Sequence, residues 1–322
     1  MKAVYTTASI TLGLLVLAQG LSVLSKRRSR RPKVIHPGTE RVLILGASSG
    51  IGRALAHRYA ERGSKVCVVA RKSAELESVR SECEVLARAH APDSHSVLCI
   101  CANFTRAEDL ITIREALSEK WHGLDTLIIA AGVSALRPVL EIAGVEGPSV
   151  TLPALDDVRR AEGVALAAIR GNYLGPLLSV VTMIPFMRST SASPSVLLIS
   201  SLGAAIPAPT RAIYGSSKAA SYILFQALAI ENPSVNFSCV LPSTVEGNFR
   251  ASAVDGGPVR EADPAQEGLK REVVAERCIR AIDAREKLVF IPAFYGFLPL
   301  LLWIWPAYVE RKAAEKYRFT PI

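Results

Sequence analysis

Short apolar runs alternate with longer amphipathic stretches from Arg41 to about residue 292. The runs are rich in β-branched residues, so the pattern predicts strands joined by crossover helices. We predict seven strands, at Val42–Leu45, Lys65–Ala70, Ser96–Cys101, Thr126–Ala130, Ser195–Ser200, Asn236–Leu241 and Leu288–Ile291. Helices are expected near 50–63, 73–90, 106–120, 154–188, 212–231 and 265–285. The fold class is therefore α/β, with a doubly wound parallel sheet of seven strands.

Two irregular segments interrupt this alternation. Val133–Asp156 is longer than a usual connection and rich in Gly, Pro and Ser, so we expect a surface insertion there. Gly247–Gly268 is a second irregular polar segment. Connections of this length inside a compact domain are often lids over a site, or disordered. The remaining pattern has no internal repeat and predicts one domain over residues 41–292.

The chain begins with a long apolar segment. Residues 3–25 carry no charged side chain, and as a helix they would reach roughly 34 Å, enough to cross a bilayer. A basic run follows at once, at Lys26, Arg27, Arg28, Arg30, Arg31 and Lys33. We therefore predict a single transmembrane anchor over residues 1–25 and a basic linker over 26–40, with the body facing the cytosol. A cleaved signal peptide, which would place the body in a lumen, is the alternative.

A second apolar stretch, Leu288–Val309, lies near the other end. We predict no membrane span here, because its first residues form a strand and prolines 292, 299 and 306 interrupt any long helix. Residues 293–322 suit the membrane interface instead. Their aromatic side chains are Phe294, Tyr295, Phe297, Trp303, Trp305 and Tyr308, and their basic ones are Arg311, Lys312, Lys316 and Arg318. We predict that this segment lies on the membrane, with a packing helix or a dimer contact as the alternative.

The charge distribution narrows the range of partners. The chain of 322 residues has a formal net charge of +9, yet residues 41–309 contribute only +1. The excess positive charge flanks the two apolar ends, so it indicates a membrane surface rather than nucleic acid.

Composition excludes several other classes of protein. Half of the residues are hydrophobic, which excludes a disordered chain, and six cysteines are too few for a disulfide framework. The five histidines lack metal-ligand spacing, so we predict no metal site.

A glycine-rich turn follows the first predicted strand. The run VLILGASSGIG places Gly46, Gly50 and Gly52 between that strand and the start of a helix. Glycines let the backbone approach a pyrophosphate closely, and the helix N-terminus offers unpaired N–H groups. The strand–turn–helix context therefore predicts a dinucleotide site.

The end of the second strand indicates which dinucleotide binds. A carboxylate at this place would bind the adenosine ribose and indicate NAD, but Arg71 and Lys72 stand there. Basic side chains suit the 2′-phosphate of NADP. The sequence therefore favours NADP(H), and a solvated basic helix start is the alternative.

A tyrosine and a lysine lie one helical turn apart in the run IYGSSKAA. At this spacing the ammonium of Lys218 can sit beside the phenol of Tyr214, and a nearby cation moves the pKa of a phenol toward the neutral range. Ser201 follows the preceding strand, at the sheet edge where ligands bind in parallel sheets. The pattern predicts acid–base chemistry centred on Tyr214.

With these residues the chain resembles the short-chain dehydrogenase/reductase family over about residues 41–292, which implies a Rossmann-type fold. GASSGIG is similar to the family's TGxxxGIG loop, and the catalytic Ser, Tyr and Lys of the family match Ser201, Tyr214 and Lys218. Asn172 matches the helix asparagine, which in the family holds a water that links the lysine to solvent. The cofactor contacts that follow are Gly46, Ser48, Ser49, Gly50, Ile51, Gly52, Arg71, Lys72, Asn103, Ala131, Gly132, Tyr214, Lys218, Pro242 and Val245.

Some positions depart from the family pattern. The NNAG motif reads IAAG, which retains Ala131 and Gly132 and loses both asparagines. Asn103 replaces the aspartate that contacts adenine, and an amide oxygen can still accept a hydrogen bond. The PGxVxT segment keeps only Pro242 and Val245. These departures affect the details of cofactor affinity rather than the class of enzyme.

Together these features predict a membrane-anchored, NADP(H)-dependent oxidoreductase that interconverts a carbonyl and a secondary alcohol. The two membrane segments favour a lipophilic substrate of steroid, sphingoid or terpenoid type. In architecture the chain is similar to membrane-bound members related to 11β-hydroxysteroid dehydrogenase and 3-ketodihydrosphingosine reductase, which implies the endoplasmic reticulum. A 3-ketosphinganine-type reductase and a catalytically silent dinucleotide-binding scaffold at the membrane stay open, and so does a homodimer.

Overall fold

The computed structural model describes residues 31–90, 96–145, 152–260 and 268–320. Its strands are β1 Arg41–Leu45, β2 Lys65–Ala70, β3 Ser96–Cys101, β4 Thr126–Ile129, β5 Ser195–Ile199, β6 Asn236–Pro242 and β7 Leu288–Ile291. They pair in parallel in the order β3-β2-β1-β4-β5-β6-β7. The seven predicted strands are confirmed, with each boundary within one residue of its expected place.

Helices cover both faces of this sheet. In chain order they are α1 Gly50–Glu61, α2 Ser73–His90, α3 Ala107–Trp121, α4 Val139–Ile142, α5 Leu155–Ile169, α6 Gly175–Thr190, α7 Ala212–Glu231, α8 Arg271–Ala284, α9 Leu298–Ile304 and α10 Pro306–Lys316. The helix predicted over 154–188 is present, but a π-helical turn, Arg170–Leu174, divides it into α5 and α6. The helix predicted from 265 begins at Arg271, and residues 261–267 lie outside the described ranges.

The side chains of β1 show how the three layers hold together. Val42 and Ile44 pack with α1, α2 and α8 in one buried cluster, while Leu43 and Leu45 pack with α3, α6 and α7 in another. Successive strand residues point to opposite faces, and here both faces are covered. This is why the strands read as continuous apolar runs in the sequence.

The second half of the predicted linker is packed against the domain. The Arg31 side chain is buried, pairs with the carboxylate of Glu40, and donates hydrogen bonds to Thr126 Oγ1 and to the carbonyl oxygens of Asp125 and Ser193. Glu40 directly precedes β1, and the other partners lie where β4 and β5 begin. One arginine of the basic run therefore anchors the chain to the amino edge of the sheet instead of facing solvent.

The structure describes only one of the two segments that we predict to contact a membrane. The anchor predicted at residues 1–25 lies outside the described residues. Among the described residues, one helical stretch, Leu155–Thr190, is long and apolar enough to cross a membrane by length and composition. Its α6 part packs on the sheet through Val180, Met183 and Met187.

The second apolar stretch is not one long helix. It forms β7, a 3₁₀ turn over Ala293–Phe297 and the short helices α9 and α10. Large apolar side chains of this segment are exposed, at Phe294, Phe297, Leu300, Trp303, Ile304 and Trp305. We call these six residues the C-terminal apolar patch.

Candidate active site

The predicted site residues converge on one edge of the sheet. The glycine loop follows β1, Arg71 follows β2, Asn103 follows β3, Gly132 follows β4 and Ser201 follows β5. Neighbouring parallel strands end at the same edge, and the chain reverses its direction of progress between β1 and β4. A switch point of this kind leaves a crevice that binds ligands in doubly wound sheets.

The glycine loop has no room for larger residues at two positions. A Cβ at Gly46 would lie 2.6 Å from the backbone of Ala131, and a Cβ at Gly52 would collide with the carbonyl oxygen of Gly46. Gly46 and Gly50 also have positive φ angles of 87° and 55°. The loop therefore holds the first turn of α1 close against β4, with N–H groups that can bind a pyrophosphate.

The basic residues after β2 lie beside an acidic partner that sequence analysis missed. Lys72 Nζ forms an ion pair with Glu75 at 2.8 Å. Hydrogen bonds from Lys72 and then from Ser48 lower the pKa of Glu75. Arg71 is exposed at the start of the same connection. A phosphate held by Lys72 and Ser48 would therefore share them with Glu75.

The side chain of Asn103 is already engaged. Its Oδ1 accepts hydrogen bonds from Thr105 N at 3.2 Å and from Thr105 Oγ1 at 2.9 Å. The acceptor role that the sequence suggested is thus taken by a neighbouring turn. In this geometry the amide nitrogen of Asn103 is the group left to contact an adenine.

Asn172 occupies the π-helical turn between α5 and α6. It is fully buried; its Oδ1 accepts from Val133 N at 2.8 Å and its Nδ2 donates to Val133 O at 2.9 Å and Ser217 Oγ at 3.0 Å. Single π-turns inside α-helices occur frequently at functional sites. The turn places this amide against the segment that follows β4 and against α7.

Lys218 lies on the other side of the same segment. Its Nζ donates to the carbonyl oxygen of Ile199 at 3.0 Å, and burial lowers the pKa of Lys218 to about 8. A Cβ at Gly132 would lie 2.9 Å from both Lys218 Nζ and Asn172 Oδ1. Gly132 therefore lies between Lys218 and Asn172, where a larger side chain would not fit. This explains why the last residue of the IAAG run is glycine.

Ser201 and Tyr214 meet around Gly203. The Ser201 Oγ accepts from Gly203 N at 3.2 Å, and a Cβ at Gly203 would contact both Ser201 Oγ and the Tyr214 ring. Ser201 caps a 3₁₀ turn at the end of β5, and Tyr214 lies in the first turn of α7. Ser201 and Tyr214 are therefore close together, and Tyr214 lies one turn before Lys218 on α7.

The residues that the resemblance places on the nicotinamide side lie at the end of β6 and just after it. Pro242 ends that strand and is buried, while Val245 forms an isolated bridge with Leu269. Ala131 lies against the glycine loop, as the close approach of Gly46 requires.

The two irregular segments pack on one another and beside Tyr214. Asp255 Oδ2 accepts from Leu136 N at 2.6 Å and Arg137 N at 2.8 Å, and Arg260 pairs with Glu141 at 2.9 Å. Sequence analysis treated the two segments separately, since nothing local links residue 255 to residue 136. Residues 146–151 and 261–267 of these segments lie outside the described ranges.

Two more side chains near Tyr214 carried no sequence signal that we used. The Phe249 ring lies edge-on to the Tyr214 ring, with centroids 6.1 Å apart. The Arg211 guanidinium lies 5.9 Å from the centroid of the same ring. Of these two residues, only Arg211 lies near Tyr214 in the sequence, three residues before it.

The described residues contain no group of three His, Cys, Asp or Glu that could hold a metal ion.

Several dehydrogenases are similar to this chain in sequence. 11-beta-hydroxysteroid dehydrogenase A of Sesamum indicum is 26% identical over 79% of this chain and 68% of that protein. 11-beta-hydroxysteroid dehydrogenase-like 3 of Arabidopsis thaliana is 30% identical over 63% of this chain and 58% of that protein. A dehydrogenase/reductase SDR family protein 7-like of Drosophila melanogaster is 27% identical over 78% and 72%, respectively. The aligned regions span from 53% to 72% of the curated relatives' own lengths.

A solved structure shares the fold. The alcohol dehydrogenase of the archaeon Thermococcus sibiricus, complexed with 5-hydroxy-NADP, superposes with a TM-score of 0.62 at 22% identity, covering 78% of this chain and 95% of that one. The sequence profile described as short chain dehydrogenase matches residues 40–256, more than half of the chain. The fold of the short-chain dehydrogenase/reductase family binds a nicotinamide dinucleotide, and its members are oxidoreductases that act on alcohol and carbonyl groups. The chain therefore belongs to this family.

Proposed function

We propose that the protein is an NADP(H)-dependent reductase or dehydrogenase that interconverts a carbonyl and a secondary alcohol on a lipophilic substrate. The observation that carries this proposal is the placement of two pairs of side chains, Asn172 with Lys218 at Gly132 and Ser201 with Tyr214 at Gly203. Helix α7 joins the two pairs, since it holds both Tyr214 and Lys218. The glycine loop fits a dinucleotide, since a Cβ at Gly50 would meet open space at the start of α1, where a pyrophosphate can approach the N–H groups of the first turn. When bound, the nicotinamide supplies or accepts the hydride.

The side chains of this chain provide the proton chemistry. In the reductive direction the Tyr214 hydroxyl donates its proton to the carbonyl oxygen, and Ser201 donates a hydrogen bond to the same oxygen. The Lys218 ammonium stabilises the phenolate that remains, because an adjacent cation favours the charged form of a phenol. Asn172, buried between Val133 and Ser217, orders the path by which the proton is replaced. A positioned general acid contributes about 100- to 10,000-fold to rate.

Arg71 and Lys72 support the choice of NADP(H). No carboxylate stands at the end of β2, where one would repel a 2′-phosphate, and both residues are exposed and able to turn toward it. The complex of the solved alcohol dehydrogenase with 5-hydroxy-NADP is consistent with a cofactor of this type. Equilibrium binding of NADPH and NADH, measured by the enhancement of their fluorescence, tests the choice, and tighter binding of NADH would overturn it.

The C-terminal apolar patch supports a lipophilic substrate met at a membrane. Trp303 is 84% exposed and Phe297 74% exposed, while Arg311 and Lys312 follow on α10. Aromatic and basic side chains in this arrangement favour the membrane interface. The relatives named 11-beta-hydroxysteroid dehydrogenase favour a steroid among the lipophilic candidates.

Tryptophan fluorescence in vesicles tests the membrane contact directly. The chain has three tryptophans, and Trp121 is buried in the domain whereas Trp303 and Trp305 are exposed. In vesicles of dibrominated phosphatidylcholine, the full chain should lose the emission of Trp303 and Trp305. A Trp303→Phe/Trp305→Phe variant reports Trp121 alone and should not be quenched. Equal quenching of the two proteins would contradict the contact.

The activity itself is tested with Tyr214→Phe. The full chain in detergent should oxidise NADPH with at least one ketone from a panel of steroid, sphingoid and terpenoid ketones. Tyr214→Phe should bind NADPH normally and lose turnover, because its ring remains and only the proton donor is removed. Retained turnover would refute the mechanism. A specific response to 3-ketosphinganine would favour the sphingoid reductase, and no oxidation with any ketone would favour the silent scaffold.

Topology and assembly complete the proposal. A body that faces the cytosol from the endoplasmic reticulum should be digested by protease added to sealed microsomes, whereas protection would indicate the lumenal alternative.

A homodimer is supported by exposed apolar side chains on the neighbouring helices α5 and α7, at Val158, Leu166, Ile169 and Ile223. Light scattering should give the mass of two chains, and Leu166→Asp should halve it.

A further inference from the structure

Arg211 is a buried cation beside the candidate catalytic tyrosine. Its side chain is only 5% exposed, and it lies immediately before α7, three residues before Tyr214. Its Nη1 donates to Ser134 Oγ at 3.0 Å and to the carbonyl oxygen of Ala135 at 3.2 Å. These two residues belong to the connection that leaves β4 at the site. The guanidinium thus ties the start of α7 to the wall of the crevice.

Two tyrosine rings flank this guanidinium. Its central carbon lies 5.9 Å from the ring centroid of Tyr214 and 5.7 Å from that of Tyr317. Both distances are within the range at which a cation is attracted to the face of a ring. Tyr317 directly follows α10, so the C-terminal segment reaches the catalytic helix through Arg211.

The backbone before Arg211 is strained. Thr210 has a φ of 63°, a left-handed conformation that β-branched residues rarely adopt, and it is buried. Such conformations persist where the surroundings hold them, and they cluster at functional sites. The strained turn leads directly into Arg211, whose side chain is then buried against the crevice.

We propose that Arg211 is a positioning residue for Tyr214, and that Tyr317 holds Arg211 in place. This inference rests on the proposed function, because it assigns Tyr214 as the proton donor. Arg211 fixes the ring face of Tyr214 relative to the segment at Ser134, so that the phenol oxygen points at the substrate carbonyl. The C-terminal segment is then part of the active site and not only a membrane contact.

The test compares steady-state kinetics of the full chain in detergent, with the fastest ketone of the panel as substrate. Arg211→Met should lower kcat about tenfold or more, because a small misplacement of a catalytic group has a large effect on rate. The KM for the ketone and the Kd for NADPH should stay within about twofold, since Arg211 acts on the orientation of Tyr214 rather than on binding. Arg211→Lys, which keeps the charge and one donor, should recover part of kcat. Arg114→Met, on α3, is the matched control and should leave all three values unchanged.

Variants of Tyr317 test the second half of the proposal. Tyr317→Phe keeps the ring face and should behave as the wild type, whereas Tyr317→Leu should lower kcat about threefold or more. The double variant Arg211→Met/Tyr317→Leu should be no slower than Arg211→Met alone, because Tyr317 acts through Arg211. Additive losses would refute this coupling.

The outcomes separate this inference from the proposed function. If Tyr214→Phe is inactive and Arg211→Met retains full kcat, the positioning role is wrong and the mechanism stands. If Arg211→Met and Arg211→Lys both lose NADPH binding in parallel with kcat, the arginine is merely structural and the inference fails. If Tyr214→Phe retains turnover, or no ketone is reduced, the proposed function and this inference fail together.

Discussion

Replacing Lys218 by methionine should stabilise the fold while it removes activity. The ammonium is 4% exposed, and burial lowers its pKa from the ordinary 10.5 to about 8. Below pH 8 Lys218 is protonated in both states, but the unfolded chain binds this proton more tightly than the folded protein does. Since one pKa unit is about 1.4 kcal/mol, the buried charge lowers stability by about 3 kcal/mol at pH 7.

The dependence on pH gives this prediction its sign. Between pH 8 and 10.5 the unfolded chain holds more protons than the folded chain, so the penalty decreases as pH rises and is nearly gone above 10.5. Methionine has no charge at any pH, but it leaves the carbonyl oxygen of Ile199 without its donor, which costs about 1 kcal/mol. Lys218→Met should therefore be more stable than the wild type by about 2 kcal/mol at pH 7 and less stable by about 1 kcal/mol near pH 10.5.

Urea unfolding followed by tryptophan emission measures both values in the same detergent. Lys120→Met is the matched control, because that ammonium is 60% exposed and its replacement should change stability by less than about 0.5 kcal/mol at either pH. NADPH oxidation by Lys218→Met should fall at least about 100-fold. A variant that is destabilised equally at both pH values would refute the reasoning, since it would show that the buried ammonium carries no penalty.

Three further predictions concern the cofactor crevice. Gly132→Ala should lower thermal stability and reduce kcat/KM about tenfold or more, since its Cβ would crowd Lys218 and Asn172. The control is Gly163→Ala, at a position in α5 that has open space, and it should stabilise the protein by about 0.5–1 kcal/mol. Arg71→Glu should weaken NADPH binding by fluorescence titration about tenfold or more and change NADH binding less than about threefold, and parallel losses would count against a 2′-phosphate contact. Glu75→Gln should tighten NADPH binding about threefold without an effect on NADH, because it removes a carboxylate that competes for Lys72. The control Glu77→Gln, two residues further along α2 at a carboxylate that pairs with Arg80, should change neither.

The parts of the site that could be predicted from sequence are those encoded over a few residues. The four-residue spacing of Tyr214 and Lys218 requires only that the segment be helical. The glycine loop requires only a strand before it and a helix after it. For the same reason the strands were located to within one residue, since apolar runs buried on both faces have few alternatives.

Long-range neighbours could not be predicted in this way. Arg211 contacts residues 77 positions before it and a ring 106 positions after it, and Asp255 binds backbone groups near residue 136. The burial of Arg31 and the π-turn at Asn172 likewise depend on what packs against them. Each of these contacts exists because the strand order places distant segments side by side.

The sequence by itself determined the class of fold, the dinucleotide loop, the spacing of Tyr214 and Lys218 and the place of Ser201 at a strand end, because hydrophobic period, turn residues and helical spacing are local properties. Asn172 was expected only from the family resemblance. Only the tertiary structure decided which partners these residues have. It placed Glu75 against Lys72 and Ser48, Gly132 between Asn172 and Lys218, and Arg211 between Tyr214 and the C-terminal segment. The charge state, orientation and accessibility of a catalytic group are set by such neighbours, and neighbours are set by packing.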